Sequence, residues 1–275
     1  MMLQNLHTHT TFCDGKNTPE EMVQAAITLG MDSLGFSGHS PLIAPVPGDW
    51  CMQPEQVGDY CQEVLRLREK YEDKLTIFLG LEQDILSPTP KENYDYIIGS
   101  VHGLLMQCGE LAPVDESEES FCRAVQDYFD GDALNFVEAY YQMVGQVAEQ
   151  TSCQIVGHFD LICKFNEGGR LFDTAHPRYR KAALAALDRL VQQDVILEIN
   201  TGAMSRGYRS APYPEQWLLK EMKKRAIPIC ITSDTHSAQT LMHEFSLAAQ
   251  LAQSCGYQEA MYLTKQGFVS GPLQL

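Results

Sequence analysis

The chain has 275 residues, enough for one large domain with a well-buried core. Its 36 acidic residues against 20 basic ones leave a formal charge of −16 with no basic run, which argues against a nucleic-acid backbone as substrate, because phosphate contacts need clustered Lys and Arg. No stretch approaches the roughly 18 apolar residues of a membrane span, no signal-peptide pattern opens the chain, and the nine cysteines are scattered without a C-x-x-C pair, so a soluble cytoplasmic protein with reduced thiols is expected.

Residues 3–6 form a short apolar run that reads as a strand and delivers His7 and His9. A helix follows, with Thr18 as N-cap, Pro19 at its first position, Glu21 closing a capping box and Gly30 as stop; Met22, Ala25, Ala26 and Leu29 form its apolar face. Residues 33–37 give the next strand, ending at His39, and the strand–helix–strand rhythm is that of a βαβ unit. A second helix is predicted over 54–71, with Val57, Cys61, Val64, Leu65 and Leu67 toward the core. Residues 75–81 are a buried strand running into Glu82, and 94–100 a strand delivering His102. The segment 103–151 departs from this rhythm: an acidic loop around Asp115 and Glu116 and two helical patterns, 117–129 and 134–151, read as an elaborated connection.

Alternation resumes with a strand at 154–157 ending at His158, a helix over 177–193 and a strand over 195–200. A helix over 214–225, a strand over 227–232 running into Asp234 and His236, and a long helix over 238–255 complete it; 261–263 has the pattern of a last short strand. About seven strands alternating with helices predict a single α/β domain spanning residues 1–275. A barrel of parallel strands gathers its strand ends at one rim, so residues distant in sequence meet there.

Six of the eight histidines and three carboxylates fall at those strand ends: His7-Thr8-His9, Asp14, Gly38-His39, Glu82, Ser100-Val101-His102, Gly157-His158 and Ser233-Asp234-Thr235-His236. His-x-His at a strand end places both rings on one side, because side chains alternate with period two. Glu82 ends an apolar run that would bury it, and a buried carboxylate must be paired or coordinated; its two oxygens also suit it to bridging two ions. Nine nitrogen and oxygen ligands are too many for one transition-metal ion and enough for two or three. No cysteine sits in these motifs, which argues against a thiolate ligand. His176 and His243 end no strand and are left outside the site.

The order HTHT, Asp14, GHS, GLE, GSVH, GHFDL and SDTH resembles the polymerase and histidinol phosphatase (PHP) family. The stretches Asn93 to His102, Phe129-Asp130-Gly131-Asp132, Lys164-Phe165-Asn166 and Glu198-Ile199-Asn200-Thr201 are similar to its monofunctional histidinol-phosphatase branch. The resemblance implies a distorted (β/α)7 TIM-like barrel with a helical insertion around 103–151 and a trinuclear site. By motif position His7, His9, Glu82 and Asp234 would hold the first ion, Glu82, His102 and His158 the second, and Asp14, His39 and His236 the third. Zinc, manganese and iron all occur among members, and imidazole and carboxylate suit each of them.

The implied reaction is hydrolysis of L-histidinol phosphate to L-histidinol and phosphate, with a metal-bridging hydroxide as nucleophile and catalysis carried by Glu82, Asp234 and His236. Arg206, in the loop after 195–200, is the candidate for binding the substrate phosphate, since guanidinium matches phosphate geometry; Arg209 is the weaker competitor. Asp160, Lys164, Phe165 and Tyr208 are eligible to meet the amine and imidazole. The alternative within the family is a phosphoesterase for another small phosphomonoester or for nucleic-acid ends. A small phosphorylated metabolite is the expected partner, with no nucleic acid and no membrane; oligomeric state is left open.

Overall fold

The computed structural model describes residues 2–43 and 50–273. In chain order its strands are β1 (Gln4–Asn5), β2 (Ser33–Phe36), β3 (Thr76–Asp84), β4 (Tyr96–Ser100), β5 (Gly103–Leu105), β6 (Leu111–Pro113), β7 (Ile155–Val156), β8 (Ile196–Asn200), β9 (Ile229–Thr232), β10 (Glu259–Thr264) and β11 (Gly267–Pro272). Seven of them pair in parallel in the order β1-β2-β3-β4-β7-β8-β9. The two edges meet beyond the strands proper: His9 N–H donates to the Thr235 carbonyl at 2.8 Å, and Thr235 N–H donates to the His7 carbonyl at 3.1 Å. The barrel therefore closes through the backbone of the two most polar motifs in the sequence.

Inside the barrel, Leu6, Phe78, Tyr96, Ile98, Ile155, Ile196, Cys230 and Leu263 form one buried cluster. Leu263 comes from the β10–β11 hairpin, which plugs the end remote from the histidines. Its backbone is clasped by Gln4, whose Nε2 donates to the Leu263 carbonyl at 2.9 Å while Oε1 accepts from Leu263 N–H at 2.8 Å. Tyr96 reaches from β4 across the interior, donating its hydroxyl to the Leu6 carbonyl and to the Phe36 carbonyl. Its ring lies so close to Gly80 that any Cβ there would stand 2.3 Å from Tyr96 Cζ.

Helices α1 (Pro19–Thr28) and α2 (Val57–Lys70) cover one side of the barrel. The capping box of α1 forms as expected, with Thr18 Oγ1 accepting from Glu21 N–H and Glu21 Oε2 accepting from Thr18 N–H at 2.8 Å. Its buried face is Met22, Val23 and Ala26, whereas Leu29, expected inside, caps the helix and is exposed. In α2 Tyr60, Cys61, Val64 and Leu67 are buried; Leu65, also expected inside, is on the outer face, one residue away from the Val64 row.

The segment after β4 holds the antiparallel β5–β6 hairpin, which the sequence reading did not anticipate, then α3 (Glu118–Tyr128), α4 (Ala133–Val144) and α5 (Val147–Thr151). The helix expected over 134–151 is thus two, broken at Gly145. Beyond β7 come α6 (Pro177–Leu190), α7 (Gly202–Ser205), α8 (Gln216–Lys224) and α9 (Phe245–Ser254). The single helix expected over 238–255 fails at Glu244, whose φ of 53° is left-handed and turns the chain before α9 begins. The last short strand, expected at 261–263, belongs to the β10–β11 hairpin rather than to the barrel sheet. Among the described residues no helix is long and apolar enough to cross a membrane.

The Gly80–Tyr96 contact yields a direct check. Gly80→Ala inserts a methyl into a filled interior and should destabilise the fold by about 1–3 kcal/mol, read as a lowered urea midpoint with unchanged slope. An unchanged midpoint would contradict the packing described.

Candidate metal centre

Every residue singled out from the motifs arrives at the same rim. His7 and His9 follow β1, His39 follows β2, Glu82 lies within β3, His102 and His158 follow β4 and β7, and Asp234 and His236 follow β9. Asp14 sits in the turn beyond His9. The strand ladder continues past the strands here: Ser37 N–H donates to the Thr8 carbonyl at 3.0 Å and Ser40 N–H to the Glu82 carbonyl at 2.9 Å. The rim that carries the imidazoles is therefore hydrogen-bonded backbone.

Glu82 is buried at the centre and its two oxygens face different rings. Oε2 lies 3.2 Å from His7 Nε2, 3.4 Å from His9 Nε2 and 2.8 Å from His39 Nδ1. Oε1 lies 2.9 Å from His158 Nε2 and 3.3 Å from His102 Nε2, and accepts a hydrogen bond from Ser100 Oγ at 2.7 Å. Asp234 completes the first set, its Oδ1 standing 3.2 Å from His9 Nε2 and 3.7 Å from His7 Nε2. Its φ of 44° is left-handed, a strained conformation for a residue with a side chain, costing on the order of 1–3 kcal/mol. Gly202 makes room for it: a Cβ there would fall 2.8 Å from Asp234 Oδ2. On the outer side Asp14 faces three rings, at 3.1 Å from His236 Nε2, 3.7 Å from His39 Nε2 and 3.9 Å from His9 Nδ1.

These atoms fit cations. Four bonds of about 2.0–2.2 Å at tetrahedral angles place their ligand atoms roughly 3.3–3.6 Å apart. Ligand-to-ligand distances in the first set run from 3.2 to 3.7 Å. His7 Nε2, His9 Nε2 and Glu82 Oε2 are buried, converge, and make no hydrogen bond. The sets of donor atoms within mutual reach are His7, His9 and Asp234; His9, Asp14, His39 and His236; His7, Glu82 and His158; and His39, Glu82 and His102, so Glu82 groups with His7 and with His39 rather than with Asp234. His39 thus stands between Asp14 and Glu82 rather than on the outer set alone.

Electrostatics agree with that fit. Burial opposes ionisation of Glu82, but His39, His7 and His102 outweigh it and hold the carboxyl well below the usual range. For Asp234 burial is likewise overcome, here by Arg206 and His7. Burial, with His236 and His39 alongside, pushes His9 down to about 3, so its ring is neutral and carries free lone pairs. His7 is raised despite burial because Glu198, Glu82 and Asp234 surround it, and His102 because of Glu82 and Asp84. The carboxylates that raise those two rings would equally favour a metal cation beside them.

A cavity of about 700 Å³ opens over the cluster, with Asp14, His39, His102, His158, Asp234 and His236 on its floor. The insertion forms much of its outer wall, contributing Glu110, Asp115, Glu116 and Asp127. Arg206 also lines it; Nη2 donates to Asp234 Oδ2 and Nη1 to the Asp234 carbonyl, both at 3.0 Å, and Nη1 lies 2.9 Å from His236 Nδ1. Arg209 points elsewhere, donating to the Cys163 carbonyl at 2.9 Å in the protein interior. Of the eligible substrate contacts, Lys164 and Tyr208 reach the cavity, Lys164 paired to Asp115 at 3.0 Å. Asp160 is fully buried and accepts from Glu215 N–H, and Phe165 packs edge-on against Tyr208 behind the wall. His176 caps α6 and His243 lies in the turn before α9, both apart from the cluster.

Three residues with a part in the site were not singled out from sequence. Glu198, within β8, places Oε2 2.9 Å from His7 Nδ1. Asp84 Oδ2 lies 2.9 Å from His102 Nδ1 and accepts from the His102 N–H at 3.0 Å. Both are carboxylates inside buried strand runs, the signal already used for Glu82. Cys13 is the third: its Sγ lies 3.5 Å from His9 Nδ1, so one thiol does stand beside the motifs, although it joins no set of metal-holding atoms among the described residues.

Comparison with known proteins places these observations. The PHP domain family matches residues 5–202, a stretch that stops short of Asp234 and His236, which barrel closure returns to the side of His7 and His9. The chain is 30% identical over 259 residues to the "Probable histidinol-phosphatase" of Deinococcus radiodurans, covering 91% of this chain and 92% of that protein. It is 26% identical over 262 residues to the histidinol-phosphatase of Bacillus subtilis, covering 86% and 95% respectively. In fold it matches the crystal structure of histidinol phosphate phosphatase from Lactococcus lactis, a complex with zinc, L-histidinol and phosphate, with a TM-score of 0.73 at 20% identity over 97% of this chain and 98% of that one. With the family matched over most of its length and a 30% identical relative aligned nearly end to end, the chain belongs to the PHP domain family.

Proposed function

We propose that the chain is a metal-dependent phosphomonoesterase that hydrolyses L-histidinol phosphate to L-histidinol and inorganic phosphate. The observation that carries this reading is Glu82, a buried carboxylate whose two oxygens face separate sets of imidazoles on the floor of an open cavity. Relatives bearing the histidinol-phosphatase name along nearly the whole chain supply the ester.

His7, His9, Glu82 and Asp234 would hold one divalent cation, Glu82, His102 and His158 a second, and Asp14, His39 and His236 a third, with zinc, manganese and iron as candidates. When bound, such cations would supply Lewis acidity toward phosphoryl oxygens and lower the pKa of a coordinated water to roughly 7, providing a nucleophile at neutral pH. The rest falls to side chains. Glu82 keeps the two inner sets at one spacing, Asp234 is turned toward His7 and His9 by its contact with Arg206, and His236 borders the cavity beside Asp14. Arg206 keeps a permanent positive charge at the cavity wall, where it would meet the substrate phosphoryl group. The outer wall sets Glu110, Asp115, Glu116 and Asp127 against Arg123 and Lys164, a net negative balance that suits a substrate whose far end is a cationic amine and disfavours a polyanion. That wall weighs against the alternative of nucleic-acid ends.

A phosphate-release assay over small phosphomonoesters, with zinc, manganese or iron restored in turn, tests the assignment. Histidinol phosphate should exceed a generic alkyl phosphate and a 3′-phosphorylated oligonucleotide by at least about a hundredfold in kcat/KM. Preference for the oligonucleotide would transfer the protein to the alternative. His9→Ala and Asp234→Ala should each lower kcat by at least about a hundredfold together with metal content, since cation binding and nucleophile generation fail together. Near-normal turnover in either variant, with metal loss verified by elemental analysis, would exclude the metal-dependent assignment. Arg206→Lys retains the charge but loses the fork, and a drop of at least about tenfold in kcat/KM is expected.

A further inference from the structure

Glu198 is fully buried in β8, beneath the rim, and among the described residues no Lys or Arg pairs with it. Three donors and the His7 ring converge on it instead. Oε1 accepts from His158 N–H at 2.6 Å and from Asn200 Nδ2 at 2.7 Å; Oε2 accepts from Thr232 Oγ1 at 2.8 Å and lies 2.9 Å from His7 Nδ1. Two carboxylate oxygens offer about four lone-pair sites, and all four are taken. An ionised, acceptor-only carboxylate satisfies all four contacts with His7 Nδ1 as the fourth donor, whereas an amide in its place would turn a hydrogen toward one of these neighbours.

The consequence falls on His7. With Nδ1 donating to Glu198, the ring of a neutral His7 leaves Nε2 unprotonated, and Nε2 is the atom that faces Glu82 and Asp234 without a hydrogen bond. The same carboxylate grips the peptide of His158, whose ring belongs with the other oxygen of Glu82. One buried side chain thus governs a ring in one set and a backbone in the other. Ring nitrogens opposite a metal are generally held by such partners, whose loss weakens metal binding by about 10–100-fold.

We propose that Glu198 is the positioning residue of the metal centre: it fixes the ring proton of His7 on Nδ1, clamps the His158 peptide, and thereby sets the affinity of the His7, His9, Glu82 and Asp234 set for its cation. The proposal rests on the metal-dependent reading above but not on the identity of the ester.

Glu198→Gln keeps the shape and removes the acceptor character of one oxygen. In that variant zinc affinity, measured by competition with a chromophoric chelator, should fall by at least about tenfold while the metal-free protein keeps its circular dichroism. Long-range ¹⁵N correlation spectra should place the His7 ring proton on Nδ1 in the zinc-loaded wild type and move it to Nε2 in metal-free E198Q. Zinc affinity within about twofold of wild type in folded E198Q, or a zinc-loaded wild type in which His7 Nδ1 carries no proton, overturns the proposal. Because the wild-type spectrum decides by itself, the test survives a variant that fails to fold. A wild type that binds zinc with His7 protonated on Nδ1, yet leaves histidinol phosphate intact, overturns the substrate assignment alone.

Discussion

A carboxylate ringed by imidazoles at the rim of a barrel is the constraint around which this molecule is arranged. Removing Glu82 from water is expensive unless opposite charge and directed contacts replace its hydration. His7, His9, His39, His102 and His158 all come within 3.4 Å of its oxygens, yet most of these approaches are not hydrogen bonds, and Oε2 has none. Such a group of unspent lone pairs is a poor way to stabilise a fold and a good way to bind cations.

Closure of the barrel and assembly of the site are one event. The last strand finds the first through Thr235 and Thr8, the central residues of the two motifs that flank the cage. Each of those residues has ligand candidates on either side, so forming the seam between β1 and β9 brings Asp234 and His236 to His7 and His9. The plug at the opposite end works with the seam: Gln4, at the start of β1, is held by Leu263 of the terminal hairpin. The two ends of β1 are thereby fixed by segments more than 220 residues away in sequence, and the His-x-His pair inherits that rigidity.

What was legible in the sequence follows from what an apolar run can and cannot say. Strands that end in His or Asp were readable because a polar ligand after a buried run has few structural explanations, and their common rim followed from the parallel order. Residues inside runs were harder. Glu198 and Asp84 sit among strand residues that look like scaffold, and only the logic applied to Glu82, that a carboxylate in a buried strand needs partners, could have found them. The break at Glu244 and the split of the 134–151 helix went unseen for another reason: Glu244 is left-handed without being Gly or Asn, and Gly145 continues in helical geometry, so neither announces a turn. Leu29 and Leu65 were placed inside because periodicity fixes a face only to within about one residue, which at a helix end or edge decides burial.

The overall acidity of the chain and its proposed anionic substrate are reconciled by where the charges lie. With three divalent cations, the carboxylates of Asp14, Glu82 and Asp234 leave the cage about +3, and counting Glu198, Asp84 and Arg206 as well leaves about +2. Glu198 and Asp84 lie behind the rings they orient and are buried from the cavity, so they act on cation affinity more than on the surface a phosphoryl group meets. Part of the remaining acidity lies on the wall built by the insertion, where Glu110, Asp115, Glu116 and Asp127 outnumber Arg123, about where the leaving part of the ester would lie. On the proposed reading, a positive floor under a negative wall would select a molecule with its phosphate at one end and a cation at the other. Free phosphate would then be held only by the floor, and the free alcohol only by the wall. Each product would keep only part of the attraction the intact ester had, which favours release once the bond between the two halves is cut.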